Sequence, residues 1–267
     1  MKIGKASNLT ALRESLSKSN LTPTKLDDYT LLVDFYPQVV WISARKRLAE
    51  IVNNLRSGVT LDAGCGRGWV SLELAKRGFE VVDVDLSDER ISEAKALFKS
   101  ENIPVPLIKA SLTNLPLKDA AFNSVISCDV IEHIPDVELA FLELSRVVAP
   151  DGNLCLTIPN GFGSAGIISD IIFPAIGKGR KGIEHEHVQK FTVNNIKTLA
   201  EYYHFKVTRF INLQALTPFY AILFDTLHSK RTAWQLLENA DVHSAEKLPR
   251  WFGSSWLIVC KKTCVAS

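Results

Sequence analysis

Residues 61–70 read LDAGCGRGWV. Three glycines at alternate positions, Gly64, Gly66 and Gly68, follow an acid, Asp62. A chain that gives up three side chains in so short a space brings its backbone close to a ligand or to a packed neighbour. The register excludes two common phosphate seats. A dinucleotide fingerprint requires its third glycine where Trp69 stands, and a phosphate-binding loop requires a lysine that does not follow. What remains is D-x-G-x-G-x-G between a strand and a helix.

The flanking segments supply that context. VTLDA (59–63) reads as a buried strand and 69–77 as the helix after it. FEVVDVD (79–85) reads as a second strand, and 87–100 as a helix with Ser87 as N-cap and acids in its first turn. SVISC (124–128) is a strand, 137–149 a helix capped by Asp136, and NLCLTIP (153–159) a strand after the PDG turn. Alternation of this kind predicts a mostly parallel sheet with helices on both faces, whose ligands bind beyond the carboxyl ends of the strands. That directs attention to 62–68, Asp85 and 128–133. Further along, 192–205 reads as a helix, 206–213 as a strand, 214–250 as a mostly helical insert and SWLIVCKK (255–262) as the last strand. Residues 1–57 read as an N-terminal helical region and 58–267 as one domain, with cap insertions at about 161–190 and 214–250.

Composition sets outer limits. Apolar residues make up 46% and charged residues 22%, as in soluble globular proteins, and a net charge of +2 gives no bulk field for a nucleic-acid partner. The five cysteines are odd in number, and no CxxC pair marks a zinc site or disulfide framework, which fits a reduced, cytoplasmic protein. No signal peptide and no apolar run long enough to span a membrane is visible.

Taken in order, LDAGCGRG, the acid Asp85 placed 21 residues after Gly64, SLTNLPLKDAAFNSVIS (111–127), CDVIEHIPD (128–136) and LSRVVAPDGNLCLTIPN (144–160) resemble the class I S-adenosylmethionine-dependent methyltransferases, small-molecule type, similar to the quinone-biosynthesis enzymes. A weaker echo lies in 185–205. The resemblance implies an α/β, three-layer Rossmann-like sheet of seven strands with the last strand antiparallel. It also implies S-adenosyl-L-methionine as cofactor. Its binding residues are then Asp62, Gly64, Cys65, Gly66 and Gly68 toward the methionyl end, Asp85 with Leu86 at the ribose, Ser111 and Leu112 by the adenine, and Asp129 at the fourth strand. Ser111 stands where the family has an acid, and Asn123 where it has aspartate.

Methyl transfer to a small-molecule oxygen, nitrogen or carbon follows from the resemblance. A hydroxyl acceptor also needs a base, and His187 and His133 stand at positions the family uses near the acceptor. Glu132 reads equally well as packing. His185 and His187 flank Glu186, yet without further ligands no metal is expected. The basic run KGRK (178–181) reads as a solvated loop. The apolar stretches 166–177 and 216–227 read as cap core, or as a seat for a lipid-like or sugar-containing acceptor or a membrane surface. Two other classes stay open: a non-catalytic protein that binds the cofactor as regulator or scaffold, and an NAD(P)-dependent oxidoreductase. Oligomeric state is not legible.

Overall fold

The computed structural model describes residues 41–163, 188–215 and 231–263. His185, His187, the run 178–181 and the apolar stretches 166–177 and 216–227 lie outside the described residues, as do residues 1–40.

The elements, in chain order, are α1 (Trp41–Asn54), β1 (Val59–Ala63), α2 (Trp69–Lys76), β2 (Glu80–Asp85), α3 (Asp88–Ser100), β3 (Leu107–Lys109), β4 (Phe122–Cys128), a 3-10 turn (Ile131–His133), α4 (Val137–Val147), β5 (Val148–Pro159), α5 (Val193–Tyr202), β6 (Phe205–Gln214), α6 (Arg231–Ala245), a second 3-10 turn (Arg250–Phe252) and β7 (Ser255–Lys262). Seven strands form one sheet in the order β3-β2-β1-β4-β5-β7-β6. The pairs among β1 to β5 are parallel, and β7 runs antiparallel to both β5 and β6. The expected seven-stranded sheet with an antiparallel last strand is therefore present.

Alternation along the strands feeds two cores. Leu61, Val125, Leu154, Leu156, Trp256 and Ile258 pack against α4 and α5 through Phe141, Leu144, Ile196 and Ala200. On the other face Ile126, Cys155, Leu257 and Val259 meet Leu48, Ile51, Leu72, Ala94 and Phe98 of α1, α2 and α3. The helices present these residues at spacings of three and four, the period of a single helical stripe. Each fully buried leucine or phenylalanine contributes about 1.5–3 kcal/mol relative to exposure.

Two local differences from the sequence reading have physical causes. β3 was not located from the residues, although the resemblance implies seven strands; its three residues on the sheet edge, two half-buried and one exposed, are too few to display a period. β5 begins at Val148 and runs through the PDG segment, because α4 ends at Val147 and the register slips between Phe122 and Ser124 of its partner strand. Of the insert expected at 214–250, the described part is α6 and the 3-10 turn. α1 and α6 are tied together by Lys46. This lysine is only 3% exposed, donates through Nζ to the carbonyls of Asn212 and Val242 at 3.1 Å, and pairs with Glu246 at 2.9 Å.

The topology places the site. From β1 the chain winds outward to β2 and β3, then returns to β4 on β1's other side. The reversal leaves a crevice beyond the carboxyl ends of β1 and β4, where the connections cannot cover it.

Candidate functional site

The loop after β1 is held open by its backbone. Gly64, Gly66 and Gly68 all have positive φ (87°, 54° and 78°), a region that L side chains rarely adopt. The three glycines differ in what surrounds them. A Cβ on Gly64 would lie 2.5 Å from Val130, and one on Gly68 2.5 Å from Phe98, so these two are small for packing. A Cβ on Gly66 would meet nothing within 4 Å. Gly66 faces open space, and that face is the candidate cradle.

Asp85 fastens this loop to the end of β2. Its Oδ2 accepts from the Gly66 N–H at 2.8 Å, and its Oδ1 accepts from the Ser87 N–H at 2.9 Å. The N–H groups of Gly64 and Cys65 both donate to the Val84 carbonyl. Two backbone donors orient the Asp85 carboxylate and leave it lone pairs for a further donor such as a diol. Leu86, next in the chain, is 63% exposed and offers an apolar face beside that carboxylate.

Ser111 and Leu112 follow β3. The Ser111 and Thr113 hydroxyls are 2.7 Å apart, and Leu112 is buried. The loop from 115 to 119 is gripped by Arg146, a residue the sequence reading did not single out. Its guanidinium donates to the carbonyls of Leu115 and Leu117 and pairs with Asp119 and Glu143.

Asp129 ends β4 with a left-handed backbone, φ 54°. Its Oδ1 accepts from the Thr157 hydroxyl at 3.0 Å, and its Oδ2 from Arg47 of α1 at 2.6 Å. Arg47 was also missed, since nothing local ties a helix at 41–54 to the end of β4. Glu132 is 1% exposed, and neither carboxyl oxygen has a hydrogen-bond partner. Burial, aided by the charge of Asp129, pushes its pKa up to about 8. Its backbone carbonyl accepts from Val188 and Gln189, which brings the segment before α5 over this turn. The His133 ring lies 4.0 Å from Glu132 and is partly exposed.

Beneath the loop, Asp62 is buried, with Ser71 and Asp83 beside it. Burial is the main cause that raises its pKa to about 7. Burial, with the carboxylates of Asp83, Asp62 and Asp85, pushes the Cys65 thiol far up, so it is no nucleophile. The structure thus brings Asp62, Gly64, Cys65, Gly66, Gly68, Asp85 and Leu86 to one loop cluster. Asp129 and His133 follow β4, where their neighbour Val130 lies against Gly64, and Ser111 and Leu112 follow β3. Among the described residues no group of three or more His, Cys, Asp or Glu side chains could hold a metal ion. Among them, too, no helix is long and apolar enough to cross a membrane.

Comparison with known proteins agrees with this geometry. Residues 61–156 match the family model described as a methyltransferase domain. YqeM of Bacillus subtilis (strain 168) is 32% identical over 120 residues, covering 43% of this chain and 48% of that protein. A ubiquinone biosynthesis O-methyltransferase of Rickettsia akari (strain Hartford) is 30% identical over 100 residues, 38% of this chain and 39% of that one. The chain therefore spans less than half the length of these curated relatives. Among solved structures, the [4+2]-cyclase SpnF superposes with a TM-score of 0.58 at 15% identity, covering 96% of this chain and 93% of that one.

Proposed function

We infer, from the match of residues 61–156 to the methyltransferase domain, that the chain is a class I methyltransferase and transfers a methyl group from S-adenosyl-L-methionine to a nucleophilic atom of a small molecule. The observation that carries this reading is the open face of Gly66, locked to Asp85. A methionyl chain can lie against backbone there, and a ribose diol can donate to the same carboxylate. Leu86 supplies an apolar wall, and Ser111 and Leu112 line the adenine end. When bound, the cofactor supplies an electrophilic methyl on its sulfonium.

The protein's own part is alignment and proton handling. Asp129, which the resemblance gives as a cofactor contact, is fixed by Arg47 and Thr157 at the end of β4 and is proposed here to border the acceptor side. Burial and the charge of Asp129 favour the protonated form of Glu132, and at 1% exposure it is not placed to act as the base. His133 is the described side chain suited to take a proton from a hydroxyl acceptor, and His187 is the second base proposed from the sequence. Similarity to a protein named as an O-methyltransferase favours oxygen as the acceptor atom. An acceptor with an apolar or sugar portion, peripheral contact with a membrane and a cytoplasmic location belong to the same proposal. They rest on the sequence of the cap segments and on the cysteine pattern.

The test is calorimetry with S-adenosylhomocysteine, followed by S-adenosylhomocysteine release from S-adenosylmethionine over a panel of phenols, sugars and isoprenoid acceptors. Micromolar binding with turnover on one acceptor class is the expected result. Binding without turnover on any acceptor favours the regulator reading, and NADH binding in place of S-adenosylhomocysteine overturns the cofactor assignment. Flotation with lipid vesicles, with and without anionic lipid, tests the membrane contact.

A further inference from the structure

Two carboxylic acids are sealed beneath the glycine loop. Asp62 of β1 and Asp83 of β2 are register partners across the parallel pair, 2% and 0% exposed. The Ser71 hydroxyl, in the first turn of α2, lies 2.7 Å from Asp62 Oδ2 and 2.5 Å from Asp83 Oδ1. A hydroxyl has one proton to donate, so it can satisfy only one of these carboxylates. The second contact is a hydrogen bond only if the other carboxyl carries a proton and donates it to the serine oxygen. The pair with its serine therefore holds a carboxylic proton.

The surroundings agree. Among the described residues, the titratable groups that bear on the pair are Asp85 at the end of β2, Cys65 in the loop, whose thiol favours the Asp83 carboxylate, and Cys128 on β4. None of them is a cation. The other oxygen of Asp83, Oδ2, is buried without a hydrogen-bond partner. The loop that follows Asp62 carries Gly66, whose added Cβ would meet nothing within 4 Å. A buried, undercompensated acid pair at the back of an open cradle calls for a positive charge in front of it.

We propose that Asp83, together with Asp62 and Ser71, is the proton-holding countercharge of the donor seat: the pair keeps its proton while the seat is empty and yields it to solvent when a ligand's α-ammonium settles over the loop. This rests on the donor reading above, and it assigns binding roles to Asp83 and Ser71 that depend on this chain's own residues. The ammonium enters with its full charge and stays protonated; the proton lost is the one shared through Ser71. An opposite charge within about 4–6 Å lowers a carboxyl pKa by roughly 1–3 units, which opposes the burial that raises both Asp62 and Asp83.

The experiment is calorimetry on the full chain at pH 6.5, in two buffers of different ionisation enthalpy. The ligands are S-adenosylhomocysteine and 5′-methylthioadenosine, which shares the adenosine and thioether but lacks the amino-acid end. Binding of S-adenosylhomocysteine releases on the order of half a proton or more, methylthioadenosine releases none, and Asp83→Asn abolishes the difference. Equal release by both ligands, or unchanged release in Asp83→Asn or Ser71→Ala, overturns the inference while leaving the donor reading standing. Failure of both ligands to bind overturns the donor reading and this inference with it. The ligand-free protein gives a second readout. Its melting temperature, compared with that of Asp83→Asn, falls as pH rises from 5 to 8, because the folded pair binds protons more tightly than the unfolded chain. Parallel curves for the two proteins also overturn the inference.

Discussion

The N–H of Gly66 donates to Asp85 Oδ2 at 2.8 Å, so the glycine with the open face and the acid proposed to meet the ribose are a single unit. Breaking the unit from the Asp85 side removes two backbone hydrogen bonds at a strand end. Asp85→Ala is expected to weaken S-adenosylhomocysteine binding by at least about 100-fold, since hydrogen bonds to a charged group are worth about 1.5–3 kcal/mol each. Far-ultraviolet circular dichroism should stay that of the wild type. Wild-type affinity in the variant would place the ribose elsewhere.

The three glycines should separate binding from folding. Gly66→Leu sends its side chain into open space and is expected to abolish ligand binding at a folding cost of about 1–2 kcal/mol for the left-handed backbone. Gly68→Leu drives the same atoms into Phe98 and Ala94, and is expected to lower the melting temperature several degrees more than Gly66→Leu. Paired melting curves and titrations check the contrast; equal stability losses would refute it.

Glu132 predicts a pH dependence. Its folded pKa stands raised, at about 8, so the folded state holds a proton that the unfolded chain has already lost above the ordinary glutamate value. The associated stability is complete below the unfolded pKa of 4.5 and drains away as pH rises through about 8. Glu132→Gln keeps the shape and abolishes the titration. The variant is expected to melt near the wild type at pH 5 and above it at pH 9, read by calorimetric scans across that range.

Arg47 reaches from α1 to the far end of β4. Arg47→Met leaves Asp129 facing buried Glu132 without its cation. Turnover is expected to fall about tenfold, while S-adenosylhomocysteine affinity changes less than about threefold, because the loop around Gly66 is untouched. Steady-state kinetics and calorimetry on the same preparation distinguish this from general destabilisation, which would lower both.

Arg146 grips the loop after β3 through two carbonyls. Arg146→Met is expected to loosen the wall formed by residues 111–119 and to raise the Kd for S-adenosylhomocysteine about 3–10-fold. Accelerated amide hydrogen exchange confined to that loop would be the signature.

What the sequence made legible follows from distance along the chain. The loop 62–68, the acid at 85 and the caps Ser87 and Asp136 are strand-turn-helix features, written within a few residues of one another. A mostly parallel sheet followed from alternation, whereas seven strands with the last antiparallel followed from the resemblance, and the three residues of β3 were too few to show a period. Asp83 went unnoticed because its meaning comes from register: only pairing β1 with β2 sets it opposite Asp62, and only α2 brings Ser71 between them. Arg47 meets Asp129 across 82 positions, and Arg146 meets Leu117 across 29, separations at which periodicity carries no information. His187, read as a base from its place before α5, lies outside the described residues.

The strand order also sets a schedule. β6 is synthesised before the strand that attaches it, since β7 lies between it and β5. Until residues 255–262 leave the ribosome, Asn153 to Pro159 present an unpaired edge, open to pairing with another chain. Arrival of β7 closes that edge. It also brings Ser254 to the Asn160 N–H and Gly253 to the Asn160 side chain, just past the carboxyl end of β5. The surroundings of Asn160 at the end of β5 are thus completed only after residues 62–68 have been made.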